Sequence, residues 1–365
     1  MHTKITRVLL LFLALSLAVP TTQALWGQST VPADSTVYPS AEWARIPNPE
    51  GAGYASGALE ALHGYVDSIS TTGIMVVVGG RVLFQHGDVQ QVSYLASVRK
   101  SILAMLYGRH VRDGTIRLDR TLRDMGMDDH GGLQPIERNA TVGDLVTARS
   151  GIYHAASNPG DNLADAPPRG SQRPGEYFLY NNWDFNAAGA AFERATGIDV
   201  FDALQRDLAT PLGMQDFDRS RHEKSGDLDR SQYPAYHMHL STRDMARVGY
   251  LMLRKGRWAG REIVPSDWVD TIVSVVTPLE EMNPLPLREG YFGYGYMWWV
   301  WDGPEAVGPF EGAYTGRGAF GQYITVLPAL DMVIAHKTAV PPRRNTSWSD
   351  YEGILERLVA ARRSP

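Results

Sequence analysis

The amino-acid sequence predicts an α/β (α+β) fold, an antiparallel sheet flanked by helices with a mostly helical region inserted into it. Two observations carry that prediction. Strand-like runs lie near both ends of the 365-residue chain, while the stretch from Asp119 to about Lys255 reads as helix and loop. Composition agrees, since 44% hydrophobic and 21% charged residues are ordinary for a globular chain with a large core in one or two domains. No internal repeat or low-complexity segment is present.

Taken in order, residues 1–24 carry Lys4 and Arg7, then the apolar run Val8 to Val19, then Thr22-Gln23-Ala24. A charged start, an apolar centre and a small-residue end describe a cleaved signal peptide. The apolar run is too short to span a bilayer comfortably, so no stable membrane span is expected after cleavage. Export to a periplasmic or extracellular location follows as an expectation. The chain has no cysteine, which excludes disulfides, lipid attachment at a cysteine and thiol chemistry. Its net charge is −5, and loss of the leader's two basic residues makes it −7. Nothing there favours nucleic acid or an anionic membrane as partner.

Residues 25–52, with Pro32, Pro39, Pro47 and Pro49, read as an arm lying on the surface. The body begins near Gly53. A helix is expected over Gly57 to Ser68, then strands over Gly73 to Val78 and Arg81 to Gln85, joined by a Gly79-Gly80 hairpin turn. Further helices fit Phe185 to Thr196, Val200 to Leu208 and Arg243 to Arg254. Three more strands fit Tyr294 to Val300, Gln322 to Leu327 and Met332 to His336. The organisation is therefore a sheet domain from 53–118 plus 256–365, with a helical insert at 119–255.

The chemistry centres on Ser97-Val98-Arg99-Lys100, which opens the largely apolar stretch Ser101 to Tyr107. Residues three apart on a helix share a face, so Ser97 at the helix start and Lys100 one turn later can share a proton. Only five of the 35 basic residues are lysine. Arginine stays protonated in proteins, whereas a buried lysine can lose its proton and act as a base. A serine beside such an amine is an activated nucleophile.

Tyr180-Asn181-Asn182 follows a turn-rich loop and precedes a helix, so a tyrosine and an asparagine two apart can face one cleft. His237-Met238-His239 has alternating histidines but no acidic residue or third histidine at ligand spacing, so no metal is expected. The Gly-x-Ser-x-Gly elbow and the Walker and dinucleotide glycine patterns are missing, which leaves no cofactor motif. Tyr291, Phe292, Tyr294, Tyr296, Trp298 and Trp299 fit either an apolar pocket lining or sheet core.

With these motifs in order, the chain from about Tyr54 to Val340 resembles the serine β-lactamase and penicillin-binding-protein family. The resemblance is to its class C-like branch of secreted esterases, D-amino peptidases and nylon-oligomer hydrolases. Connecting segments match as well, among them Gly114 to Asp119, Thr141 to Leu145, Ser150-Gly151-Ile152, Pro211 to Met214, Ser241 to Arg247 and Gly293 to Trp299. The resemblance implies a β-lactamase/transpeptidase-like fold. It assigns Ser97 as nucleophile, Lys100 as the amine accepting its proton, and Tyr180 as the relay to the leaving group. Asn182 would hold Lys100 and a substrate carbonyl. A phenol beside cationic or polarised groups is expected to have its pKa lowered toward working pH.

The family's third motif, Lys-Thr-Gly or His-Thr-Gly, is altered here. Two registers fit Tyr314 to Tyr323. Either Gly316-Arg317-Gly318 takes the motif position, with the N–H groups of Ala319 and Ser97 as oxyanion hole, or Tyr314-Thr315-Gly316 does, with that of Arg317. In both, the carboxylate-pairing lysine is missing, and Arg317 is the candidate replacement. Lys337-Thr338-Ala339 ends the final strand and reads as a decoy.

The leading expectation is a secreted serine hydrolase that cleaves a small ester, amide or peptide-like molecule through an acyl-enzyme on Ser97, without metal or cofactor. A class C-like β-lactamase or D,D-peptidase is the alternative, and a noncatalytic sensor or binding module is the second. The loops Asn158 to Gly175 and Pro278 to Glu289 are expected to line the pocket. Oligomeric state is not legible.

Overall fold

The computed structural model describes residues 36–340 and 344–363. The leader at 1–24 and the start of the arm lie outside the described residues. Seven strands form one antiparallel sheet: β1 (Gly73–Val78), β2 (Arg81–Gly87), β3 (Phe292–Tyr294), β4 (Trp299–Trp301), β5 (Tyr314–Gly318), β6 (Gln322–Leu327) and β7 (Met332–Lys337). Their order is β2-β1-β7-β6-β5-β4-β3, so both ends of the chain supply strands. The β1–β2 turn uses Gly79 and Gly80 at φ 56° and 80°, which glycine adopts without the clash a side chain would bring.

Strand alternation separates two apolar layers. Ile74, Val76, Met332 and Ile334 face helices α1 (Ser56–Ser68) and α5 (Trp348–Ala360) through Leu62, Val66, Ile354 and Leu358. On the other face, Met75, Val77, Ile324, Val333 and Ala335 join the larger core beneath helices α2 (Val98–Arg112) and α4 (Thr242–Leu253). Helix α3 (Asn182–Thr196) packs against α2 and against the short helix Val142–Val146. Although α4 falls in the segment 119–255, it lies directly on β1, β6 and β7.

One expected strand divides in two. The run Tyr294 to Val300 is a hairpin in which Trp299 pairs with Tyr294, and Met297 at φ 60° turns the chain. Its alternating aromatics mimic a strand, but Gly295 marks the break: a Cβ there would stand 2.5 Å from the Ile272 carbonyl oxygen. The described part of the arm is also more than a surface strap. Trp43 enters the core against Tyr250, Tyr250 donates a hydrogen bond to the Val37 carbonyl, and Arg247 donates to those of Ser40 and Ala41.

Helix α4 approaches the sheet at Gly249, where a Cβ would meet Val333 Cγ1 at 2.5 Å and Ile324 Cγ2 at 2.9 Å. Gly249→Ala is expected to overpack this contact and lower stability by about 1–3 kcal/mol despite alanine's better helix propensity. Equilibrium denaturation against the unsubstituted protein measures it, and an unchanged or raised midpoint would contradict the packing argument.

Candidate active site

Ser97 stands at the N-terminal boundary of α2, its side chain free of any capping bond, just after Ala96, which is held at φ 48°. A non-glycine residue in this left-handed region costs free energy, and such strain gathers at functional sites. The approach to this bend is fastened from beneath. Ser93–Tyr94 pairs with His239–Leu240, and the buried amine of Lys337 donates hydrogen bonds to the carbonyls of Ser93 and Leu240 at 2.7 and 2.6 Å. Lys337 thus has a place in the interior, away from the Ser97 cavity.

Lys100 is 1% exposed. Its Nζ lies 3.1 Å from Ser97 Oγ, 2.6 Å from the Tyr180 hydroxyl and 2.6 Å from Asn182 Oδ1. The Asn182 amide is fixed in that sense because its Nδ2 donates to the carbonyls of Pro159 and Asn158. Burial, then the charge of Arg99, holds the Lys100 amine well below its usual pKa, against the opposing pull of Asp161. The expected lowering of the Tyr180 phenol is not what the structure has. Burial pushes it up to about 12, outweighing the Ser97 hydrogen bond and the charges of Arg99 and Arg317. Tyr180 therefore carries its proton at neutral pH.

The Tyr180–Asn182 segment is held by its own polar ties. Asn181 caps α3 by accepting from the Trp183 N–H, and its Nδ2 donates to the Ile152 carbonyl. Ser150 donates to Asp184, and Asp161 accepts the Asn182 N–H. The Ser150-Gly151-Ile152 match is thus a seat for this segment.

On the opposite wall, β5 runs beside α2. A Cβ on Gly318 would stand 2.6 Å from the Leu95 carbonyl oxygen and 3.1 Å from the Ser97 nitrogen, while one on Gly316 would meet Ser101, one turn further on. The register Gly316-Arg317-Gly318 therefore lies beside Ser97, with Ala319 in the turn that follows. Neither the Ser97 nor the Ala319 N–H has a protein acceptor among the described residues.

Arg317 does not point freely outward. Its guanidinium lies 4.5 to 4.9 Å from the ring centres of Trp348, Trp299 and Phe292, and no carboxylate pairs with it among the described residues. A cavity of about 510 Å³ opens on Ser97, Tyr180, Asp161, Arg317, Trp299 and Trp348. Phe320, 43% exposed and at φ 66°, stands at its mouth.

Of the two expected pocket loops, Asn158 to Gly175 contributes Gly160, Asp161 and Asn162. Pro278 to Glu289 contributes none, because it is tied to the far edge of the sheet, where the Leu279 N–H bonds Asp302 and Thr277 pairs with Tyr294. The aromatics divide as well: Trp299 lines the cavity, whereas Trp298 and Tyr294 are core. His237 bonds the Tyr94 hydroxyl and His239 packs near His222. Among the described residues no group of three histidines or acids is placed to hold a metal ion, nor is any helix long and apolar enough to cross a membrane.

Asp161 lies in a loop expected to line the pocket, whereas Trp348 and the burial of Arg99 escaped the sequence reading. A signal existed for one of them, since Ser347 and Asp350 form a capping box that starts α5 and thereby places Trp348.

Comparison with known proteins bears on the family and the fold. A Beta-lactamase family model matches residues 60–346. The 6-aminohexanoate-dimer hydrolase of Paenarthrobacter ureafaciens is 28% identical over 193 residues, 51% of this chain and 45% of that protein. The chain spans less than half the length of the curated relatives it matches, 32% and 45%. Among solved structures, a Bacillus anthracis protein assigned provisionally as a 6-aminohexanoate-dimer hydrolase superposes with TM-score 0.64 at 18% identity, covering 90% of this chain and 87% of that one. A class C beta-lactamase variant superposes with TM-score 0.59 at 14% identity, covering 87% and 99%. Those two share the fold. The family model spans most of the chain, from within α1 to just before α5, and on that ground the chain belongs to the beta-lactamase family.

Proposed function

We propose that this protein hydrolyses a small ester or amide through an acyl-enzyme on Ser97. One observation carries the reading: a buried amine, Lys100 Nζ, lies within hydrogen-bonding distance of both the Ser97 and the Tyr180 oxygens. In this mechanism Ser97 Oγ attacks the substrate carbonyl carbon as its proton passes to Lys100. The oxyanion meets the N–H groups of Ser97 and Ala319, with the α2 N-terminus behind them. Collapse breaks the bond to the leaving group, which takes the Tyr180 proton, and Tyr180 is reprotonated from Lys100. Water then attacks the acyl ester, its proton going to the same pair, and Ser97 is released with its hydroxyl restored.

The phenol at about 12 suits donation better than standing ionisation. Gly316 stands where a carboxylate-binding lysine would, and Arg317 is stacked on three rings. Both features favour an ester or amide over a β-lactam or D-Ala-D-Ala end. The class C-like β-lactamase or D,D-peptidase reading keeps Arg317 as its supporting observation, a cation lining the cavity. Export rests on Lys4, Arg7 and the Val8 to Val19 run, and N-terminal sequencing of the mature protein tests it.

The deciding experiment compares initial rates on a short p-nitrophenyl ester and a chromogenic cephalosporin. Faster ester turnover is expected, vanishing in Ser97→Ala. Dominant cephalosporin turnover would transfer the assignment to the β-lactamase reading, and covalent labelling without turnover would leave a binding module.

Lys100→Ala is expected to slow acylation by about 10²–10⁴-fold, measured by rapid-quench labelling. Gly318→Ala should push β5 from Leu95 and Ser97 and cost about 10²-fold or more in kcat, the scale of a lost oxyanion donor. Wild-type kcat in Gly318→Ala would remove β5 from the site.

A further inference from the structure

Arg99 is buried on α2 next to Lys100, 1% exposed, and no carboxylate pairs with it among the described residues. Its Nη2 donates to Asn186 Oδ1 at 3.2 Å on α3, its guanidinium carbon lies 4.3 Å from the centre of the Tyr236 ring, and Nε and Nη1 have no hydrogen-bond partner. Arginine does not deprotonate to relieve this burial. An interior cation without a counter-ion costs stability, and an apolar side chain of similar volume is often tolerated better in its place.

We propose that Arg99 is an electrostatic positioning residue whose unpaired buried charge, beside the enclosure of the site, helps keep the Lys100 amine unprotonated and ready to take the Ser97 proton, an inference that rests on the roles proposed above. The groups around the pair leave that charge in force. Facing Arg99, Tyr94 and Tyr236 are neutral phenols raised by burial, and His237 is neutral, pushed down to about 4 by burial first and by Arg99 next. Facing Lys100 are Ser97, Asn182 and Tyr180, which are neutral, and Asp161, the one nearby carboxylate that draws the amine toward its charged form. The rings of Tyr180 and Phe185, 4.2 and 4.3 Å from Nζ, favour a cation. Burial pushes the Asp184 carboxyl on α3 up, against the hydrogen bond from Ser150, which disfavours a compensating negative charge there. Arg317 adds a second positive charge beyond Tyr180. Arg99 therefore stands against Asp161 and the two rings, and it sits on the same rigid helix turn as the amine it governs.

The sign follows directly. The base form of Lys100 is the working form, so the acidic limb of the kcat/KM profile reports its protonation in the free enzyme. Removing the neighbouring positive charge makes protonation easier and moves that limb to higher pH.

The test uses the full-length mature protein with a p-nitrophenyl ester. Arg99→Met is expected to move the acidic limb upward by about one to two pH units, with a thermal midpoint equal to or above that of the wild type. A lowered plateau with an unmoved limb in Arg99→Met would reduce Arg99 to a packing role. A second measurement needs neither turnover nor a folded Arg99 variant: titration of ¹³Cε-labelled lysines in the wild type, with Lys100 assigned by its loss in Lys100→Ala. An amine neutral at pH 7 is expected, and one protonated there would overturn the proposal. Because the titration reads charge without catalysis, it separates this inference from failure of the Ser97 assignment, which would show as turnover surviving in Ser97→Ala.

Discussion

An amine buried among neutral partners is the constraint around which the rest of this site is arranged. An unprotonated Lys100 has two N–H groups and one lone pair, and three oxygens stand at 2.6 to 3.1 Å. Asn182 Oδ1 can only accept, so it takes one N–H. The Tyr180 oxygen takes the other, which leaves its own hydroxyl free to donate into the cavity. In that arrangement the lone pair faces Ser97, whose hydroxyl has a proton to give to it. A protonated Lys100 would fill all three directions as donor and leave nothing to activate the serine. The neutral state is what gives each contact a distinct direction.

That arrangement explains polar side chains that never touch the cavity. Asn182 is oriented by the Pro159 and Asn158 carbonyls, and Asn181 anchors the preceding residue to Ile152. The segment from Ser241 to Arg247 has no atom lining the cavity. Asp244 accepts the Gln215 and Asp216 N–H groups, Arg243 pairs in a fork with Asp216, and Arg247 gathers the carbonyls of Leu212, Ser40 and Ala41. These residues hold the Pro211 to Met214 turn and the arm onto α4. Segments that mark the family in the sequence are thus largely the fasteners of its loops, and the chemistry occupies only a few positions among them.

What was legible in the sequence is what depends on spacing along the chain. Ser97 and Lys100 meet because helix geometry brings residues three apart together, and the Gly79-Gly80 hairpin follows from local backbone preference. What was not legible depends on depth. The phenol of Tyr180 was expected to be lowered by nearby charge, but its full enclosure reverses the sign, and enclosure is a property of several segments meeting. The burial of Arg99 follows only once α2 is placed between β5 and α3. Trp348 reaches the cavity from a position distant in the chain, and no local pattern ties it to Ser97.

The altered third motif follows from the same competition between charge and enclosure. A lysine on the strand at the position of Gly316 would bring another cation toward the wall that faces Ser101 and α2, a helix that already carries the Arg99 cation in its first turn. Glycine removes that charge and lets the strand close on the helix. The positive charge of β5 is instead on Arg317, whose guanidinium is covered by Trp348, Trp299 and Phe292 while still lining the cavity. Stacking orients the cation and lessens its exposure, so its field acts on the cavity more than on solvent. The site thus keeps positive charge on both sides of Tyr180, with Asp161 the one carboxylate of the lining, and this favours a reaction in which negative charge develops on the substrate oxygen between them.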